Sequence, residues 1–161
     1  MTPGAADNPA GAKRVVMLAD HAQRMDFLGQ HPKAALVSED LPLRANLSVM
    51  ENITVVLQFR TNSYIGEAND IAWELLTLTG HTDCAQKRDP ELSTEERFIA
   101  KLLRAVVGAP PLIVIDRPAQ LLPDTNYPYF LNRTLLALQG KFEQCIIVDY
   151  AWNAPLYSKP A

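Results

Sequence analysis

Two short apolar runs restrict the fold of this chain more than any other feature of the sequence. They are residues 112–115 (LIVI) and 145–148 (CIIV), and neither contains a charged or strongly polar side chain. Runs of this kind are typical of strands in a parallel sheet that is covered on both faces. Two further runs, residues 14–18 (RVVML) and 34–37 (AALV), also have strand character. Because helical patterns separate these runs, the sequence predicts an α/β fold with a parallel sheet.

The helical patterns have recognisable starts. Ser48 with Glu51, and Ser93 with Glu96, have the spacing of a capping box, in which a serine and a glutamate three residues later close the first turn of a helix. Periodic apolar residues predict two more helices, over residues 67–79 and 128–139.

Length, charge and cysteine content limit the class of protein. A chain of 161 residues predicts one domain, and a net charge of -3 argues against a nucleic-acid partner. No apolar run approaches the length of a membrane span, and Cys84 and Cys145 are too few for a disulfide framework, so we expect a cytoplasmic protein. Residues 1–12 are mostly small residues, Pro and Gly, and predict a disordered lead-in before a single domain over 13–161.

From about residue 14 to residue 153 the order of motifs resembles the ATP-binding (ATPase) subunit of an ABC transporter. The family's glutamine loop, and the segment that opens its helical subdomain, resemble AALVSED followed by LPLRANLSVMEN. The signature helix that runs into the Walker B strand resembles PELSTEERFIAKLLRAVVGAPPLIVIDRP. The D-loop region resembles AQLLPD, and the strand before the switch histidine resembles CIIVDYAWN. The combined spacing is more specific than any one of these pieces.

The resemblance implies a three-layer sheet of the P-loop NTPase type, with a helical subdomain inserted over about residues 48–107. It implies that strand 112–115 lies between strands 34–37 and 145–148. In the family the phosphate-loop strand lies beside the last of these. We expect this chain to begin after the phosphate loop and its helix, and so to be missing that strand. Strand 145–148 would then have an open apolar edge, which a partner strand, a second copy of the chain or residues 154–161 could cover. Of these we expect a homodimer or a heteromer.

Several residues depart from the family's pattern at its functional positions. No G-x-x-x-x-G-K-[ST] motif occurs, so the backbone N–H groups and the lysine that hold phosphates are not supplied. The glutamine position falls at Glu39, where an acid would repel phosphate. The switch histidine falls at Tyr150, and the D-loop aspartate falls at Pro123, with Asp124 one place late.

The signature-like and Walker B-like segments also differ from the family's pattern. The signature-like residues are Leu92, Ser93, Thr94, Glu95 and Glu96. Thr94 and Glu95 replace two glycines, so side chains would occupy space next to a γ-phosphate. Asp116 matches the Walker B aspartate, but Arg117 stands where the family has its catalytic glutamate. A guanidinium cannot act as a general base, so we expect Arg117 to pair with Asp116 or Asp124, or to contact a partner.

Together these departures predict a catalytically inactive ABC-ATPase-like protein that acts by protein–protein interaction in an ABC transport system. It would have no catalytic residues and no cofactor. In the family the glutamine loop and the helical subdomain face the membrane permease. The partner implied by the resemblance is therefore a permease or an active ATPase subunit, which would bring the chain to the inner face of the membrane.

Two alternatives remain open. The first is a weak ATPase whose phosphate loop comes from another chain, with ATP and magnesium bound only in that complex. The second is a remnant domain without activity. Asp149 and Tyr150 end a predicted strand, where ligand sites of α/β sheets lie, so a ligand site there also stays open. His81 and Cys84 are only half of a metal-ligand set, and no metal site is expected.

Overall fold

The computed structural model describes residues 12–123 and 127–157. Its strands are β1 (Ala12–Leu18), β2 (Ala35–Val37), β3 (Leu112–Asp116) and β4 (Gln144–Tyr150). Its α-helices are α1 (His21–Gln30), α2 (Val49–Thr61), α3 (Ile65–Thr79), α4 (Thr94–Val106), α5 (Pro118–Leu121), α6 (Tyr127–Ala137) and α7 (Ala154–Tyr157). The predicted lead-in lies outside the described residues, except for Ala12, which begins β1. None of the described helices is both long enough and apolar enough to cross a membrane.

The sheet is parallel throughout, with the strand order β1-β4-β3-β2. The predicted α/β fold and the place of β3 between β2 and β4 are confirmed. The open edge expected at β4 is wrong, because β1 pairs with β4 from Ala12↔Gln144 to Leu18↔Tyr150. The apolar run in residues 14–18 supplies this strand, which takes the position that the resemblance gives to the phosphate-loop strand. Because β4 has no open edge on this side, the reason for expecting a dimer there no longer holds.

Both faces of the sheet are covered, but unequally. One face packs against α2, α3, α4 and α6 in the main core. The other carries Val114, Ile146 and Val148, which pack with Phe27 and Leu28 of α1. Burial on both sides explains the continuous apolar runs in β3 and β4.

Both predicted capping boxes are present. Ser48 Oγ accepts from the Glu51 N–H at 3.1 Å, and Ser93 Oγ accepts from the Glu96 N–H at the same distance. In each box the glutamate accepts from the backbone N–H of its serine at 3.0 Å. These bonds set the starts of α2 and α4, which with α3 lie within residues 48–107. That this stretch forms a separate subdomain stays a prediction.

Candidate functional site

The carboxyl ends of the strands meet at one edge of the sheet, where ligand sites of α/β proteins lie. Asp116 is the last residue of β3, Tyr150 is the last residue of β4, and Ser38 follows β2. The chain therefore brings these three residues together from positions that are far apart in the sequence.

Asp116 is buried, with 1% of its surface exposed, and three side chains donate to it. Ser38 Oγ lies 2.7 Å from Asp116 Oδ2, and Arg24 Nη1 lies 3.4 Å from the same oxygen. Arg117 Nε donates to Asp116 Oδ1 at 3.2 Å. A buried carboxylate is stable only when it is paired and hydrogen-bonded, and Asp116 meets that condition with side chains of its own chain.

Arg24 is a residue of this site that the sequence did not reveal, as are Ser38 and Asp40. Arg24 lies on α1 and is only 3% exposed. Besides Asp116, it reaches Asp40 with a Nη2–Oδ2 distance of 2.9 Å, and its Nε donates to the Tyr150 hydroxyl at 3.3 Å. Together with Asp40, Asp116 and Arg117 it forms what we call the ion-pair cluster.

Arg117 completes the cluster from a backbone conformation that is unusual for a residue with a side chain. Its φ and ψ are 51° and 60°, in the left-handed region, and its N–H donates to Val148 O at 2.8 Å. The side chain contacts Asp116 and also reaches Asp40, with a Nη2–Oδ2 distance of 3.1 Å. The predicted pairing of Arg117 with Asp116 is confirmed, whereas Asp124 lies outside the described residues.

The electrostatics of Arg117 follow from these contacts. Partial burial lowers its pKa, but the hydrogen bond and charge of Asp116, with the charge of Asp40, outweigh burial and raise the pKa overall. Arg117 is therefore a permanent cation. Since the cluster holds two guanidinium groups and two carboxylates, its formal charges balance.

The link between β1 and α1 is too short for a phosphate loop. Only Ala19 and Asp20 separate the two elements, whereas the motif that cradles phosphates has eight residues. Asp20 Oδ1 also accepts from the Gln23 N–H at 2.9 Å. A carboxylate of the chain itself thus caps the start of α1, where a bound anion would otherwise lie.

The signature-like residues make local contacts. Leu92 is buried, Thr94 is exposed, and Ser93 and Glu96 form the capping box. The Ser93 N–H is the main cause that lowers the pKa of Glu96, and Lys87 Nζ adds an ion pair at 3.1 Å. No hydrogen bond or ion pair of the cluster comes from Ser93 or Glu96.

The glutamine-loop-like and switch-like positions behave differently from each other. Glu39 is exposed, and its neighbour Asp40 enters the cluster instead. The Tyr150 hydroxyl accepts from Arg24, and its ring stacks on Trp152 with centroids 4.3 Å apart. Pro123, at the D-loop-like position, is exposed in a turn.

Asp149, the other candidate at the end of β4, is engaged by the residues that follow it. Its Oδ1 accepts from Asn153 Nδ2 at 2.9 Å, and its Oδ2 accepts from the Tyr157 hydroxyl at 2.7 Å. These bonds hold α7 against the end of β4. Elsewhere, Cys84 Sγ donates to His81 O, and the described residues contain no group of three or more potential metal-ligating side chains.

A groove of about 370 Å³ is lined in part by Leu41 and Pro42, which directly follow Asp40 in the chain. Its other walls come from residues 34–36, from Arg44, from α2 and from α4. Arg44, Arg60 and Arg104 line it beside apolar side chains such as Leu41 and Val55, and none of the described residues that line it is acidic. The groove is thus positively charged in a protein whose net charge is negative.

No protein-family model matches this chain. The lipoprotein-releasing system ATP-binding protein LolD of Bacteroides thetaiotaomicron is 28% identical over 106 residues, which cover 66% of this chain and 48% of LolD. The chain thus spans about half the length of this curated relative.

Solved structures give the fold. The ATP-binding cassette MJ0796 in a dimeric post-hydrolysis state, bound to ADP and Pi, superimposes with a TM-score of 0.62 and 22% identity, over 80% of this chain and 57% of MJ0796. An inward-facing ABC transporter of the metal-chelate type superimposes with a TM-score of 0.70 and 15% identity, over 87% of this chain and 63% of that one. The fold is that of an ABC ATP-binding cassette. In sequence, the chain is similar to LolD, an ABC transporter ATP-binding protein, over about two thirds of its length.

Proposed function

We propose that this chain is a non-hydrolysing relative of ABC ATPases that binds a protein partner in an ABC transport system. The observation that carries the proposal is the ion-pair cluster, in which Arg24 and Arg117 neutralise Asp116 at the carboxyl edge of the sheet. The position of a catalytic base is held by a permanent cation. The chain therefore keeps the cassette fold without the groups that hydrolysis requires.

The residues at this edge do not fit ATP and magnesium, the groups that the fold family implies. A magnesium ion would have to displace two guanidinium groups from Asp116. A triphosphate would meet the carboxylate of Asp20 at the start of α1, with no glycine loop to supply backbone N–H groups. No step of a reaction is therefore assigned to either group.

The partner is proposed to dock in the arginine-lined groove. Its walls include residues 34–36 of the glutamine-loop-like segment and parts of α2 and α4, which lie within residues 48–107. In the family, the glutamine loop and the helical subdomain face the permease. Val55 of α2 lines the groove, and Phe59, one helical turn later, is 94% exposed. Exposed apolar area beside a charged rim is typical of a protein-binding surface. We therefore propose a permease segment as the occupant, at the cytoplasmic face of the membrane.

The rival proposal, a weak ATPase completed by the phosphate loop of a second chain, has less support. β1 and α1 already take the positions beside β4 that such a loop and its helix would need. A second chain would have to displace both elements and Arg24 with them. Since β4 has no open edge, the remaining support for a dimer is the likeness to MJ0796, which has a dimeric structure.

A co-purification experiment with three forms of the tagged chain tests the proposal. The forms are the wild type, Val55→Glu in the groove, and Leu136→Glu as a matched control, since Leu136 is an exposed apolar residue on α6. We expect a membrane partner to be recovered with the wild type and the control, and at least fivefold less with Val55→Glu. Recovery should not change when Mg-ATP is added. Equal recovery with all three forms, or recovery that needs ATP, would contradict the proposal.

A further inference from the structure

Residues 38–42, which we call the latch segment, connect the ion-pair cluster to the groove. Ser38 and Asp40 contact the cluster, and Leu41 and Pro42 line the groove. A turn joins the two ends, because the Leu41 N–H donates to Ser38 O at 3.2 Å. The cluster and the groove therefore share one short, hydrogen-bonded segment.

At the cluster end, the segment is held by residues from three separate elements. Asp40 Oδ2 accepts from Arg24 of α1 and from Arg117 after β3. Ser38 Oγ donates to Asp116 and accepts from the Asp40 N–H at 3.1 Å. Each of these bonds comes from the chain itself, and none needs a bound ligand.

At the groove end, α4 holds the same segment. Arg104 donates to Leu41 O at 2.6 Å and to Pro42 O at 2.8 Å, and Lys101 Nζ donates to Ser38 O at 3.1 Å. The groove wall is thus tied to the sheet edge on one side and to a helix of the groove on the other.

We propose that the ion-pair cluster is a built-in latch that fixes this wall of the groove in its binding geometry without any nucleotide. The inference rests on the proposed function, since it concerns how the same groove receives its partner. A wall that is already ordered loses less conformational freedom when a partner binds, so binding is stronger and always available. The latch is also open to solvent at Asp40, whose side chain is 60% exposed, so high salt should weaken it.

Amide exchange of Leu41, followed by NMR in the whole chain, tests the latch. The variant Asp40→Ala removes the contacts of the Asp40 carboxylate with Arg24 and Arg117. Glu39→Ala is the matched control, because Glu39 is an exposed acid one residue away that makes no bond to the cluster. We expect exchange at Leu41 to be at least fivefold faster in Asp40→Ala and within twofold of the wild type in Glu39→Ala. Arg104→Met, which acts at the groove end, should also speed exchange and does not alter the cluster.

The outcomes separate the latch from the proposed function. Equal exchange in Asp40→Ala, Glu39→Ala and the wild type would overturn the latch, even if the chain binds no ATP. Slow exchange that arises only after Mg-ATP is added would overturn it as well. Tight ATP binding by the wild type would overturn the proposed function whatever the exchange rates are.

Discussion

The start of α4 and the carboxyl edge of the sheet both depart from the ABC ATPase pattern, but in different ways. At α4, Thr94 and Glu95 stand in an ordinary capped helix start, whose capping bonds join residues three positions apart. At the sheet edge, Arg24 contacts Asp116 across 92 positions, and Arg117 contacts Asp40 across 77.

The difference matters for the stability of the two regions. A capped helix start is a local structure that tolerates many residues in its first turn. The cluster instead contains two buried charges, Asp116 and Arg24, and removing the partner of a buried charge destabilises a protein strongly. Substitutions in the ion-pair cluster should therefore destabilise the chain more than substitutions at the start of α4.

Arg24→Met should have the largest effect. It leaves Asp116 buried with one cation fewer, and breaking a buried ion pair costs about 4 kcal/mol of unfolding free energy. Urea denaturation measures the loss. Lys141→Met, which breaks the exposed pair with Glu74, is the control and should cost less than about 1 kcal/mol. Similar losses for the two variants would mean that the cluster is no different from a surface ion pair.

Arg117→Glu, which restores the family's acid, should destabilise the chain without creating an ATPase. The new carboxylate would lie near Asp116 and Asp40, and the loss of charged hydrogen bonds costs about 2 kcal/mol. Phosphate release should stay at background, because the β1–α1 link still has no glycine loop. Arg117→Gln, which adds no negative charge, should lose less stability. Turnover by Arg117→Glu alone would show that one residue had blocked a complete site.

Ser93→Ala should have the smallest effect of the three. It removes a cap from α4, at a cost of about 1 kcal/mol, and leaves the cluster untouched. Thermal and urea denaturation should both report the loss. Ser48→Ala, which removes the cap of α2, should lower the stability by a similar amount. An unchanged midpoint would show that Ser93 does not set the start of α4.

Patterns among neighbouring residues predicted the elements that bonds between neighbouring residues stabilise. The apolar runs predicted the strands, and both capping boxes were found three residues apart, as expected. Arg24 could not be predicted, because its partners lie 16 to 126 positions away and nothing near it in the sequence identifies them. Because the chain lacks the glycine motif of the phosphate loop, we expected the strand before that loop to be missing as well. This was wrong, because a strand such as β1 forms from its apolar residues and does not need the glycine motif. Which of Glu39 and Asp40 faces the cluster depends on the geometry of one turn.

The central claim is that side chains of this chain already occupy the carboxyl edge of its sheet, and titration calorimetry of the wild type with Mg-ATP tests it most directly. We predict no saturable heat up to millimolar ATP, because Asp116 is already paired and Asp20 caps α1. A dissociation constant below roughly 100 μM, equivalent to about -5.5 kcal/mol, would contradict the claim.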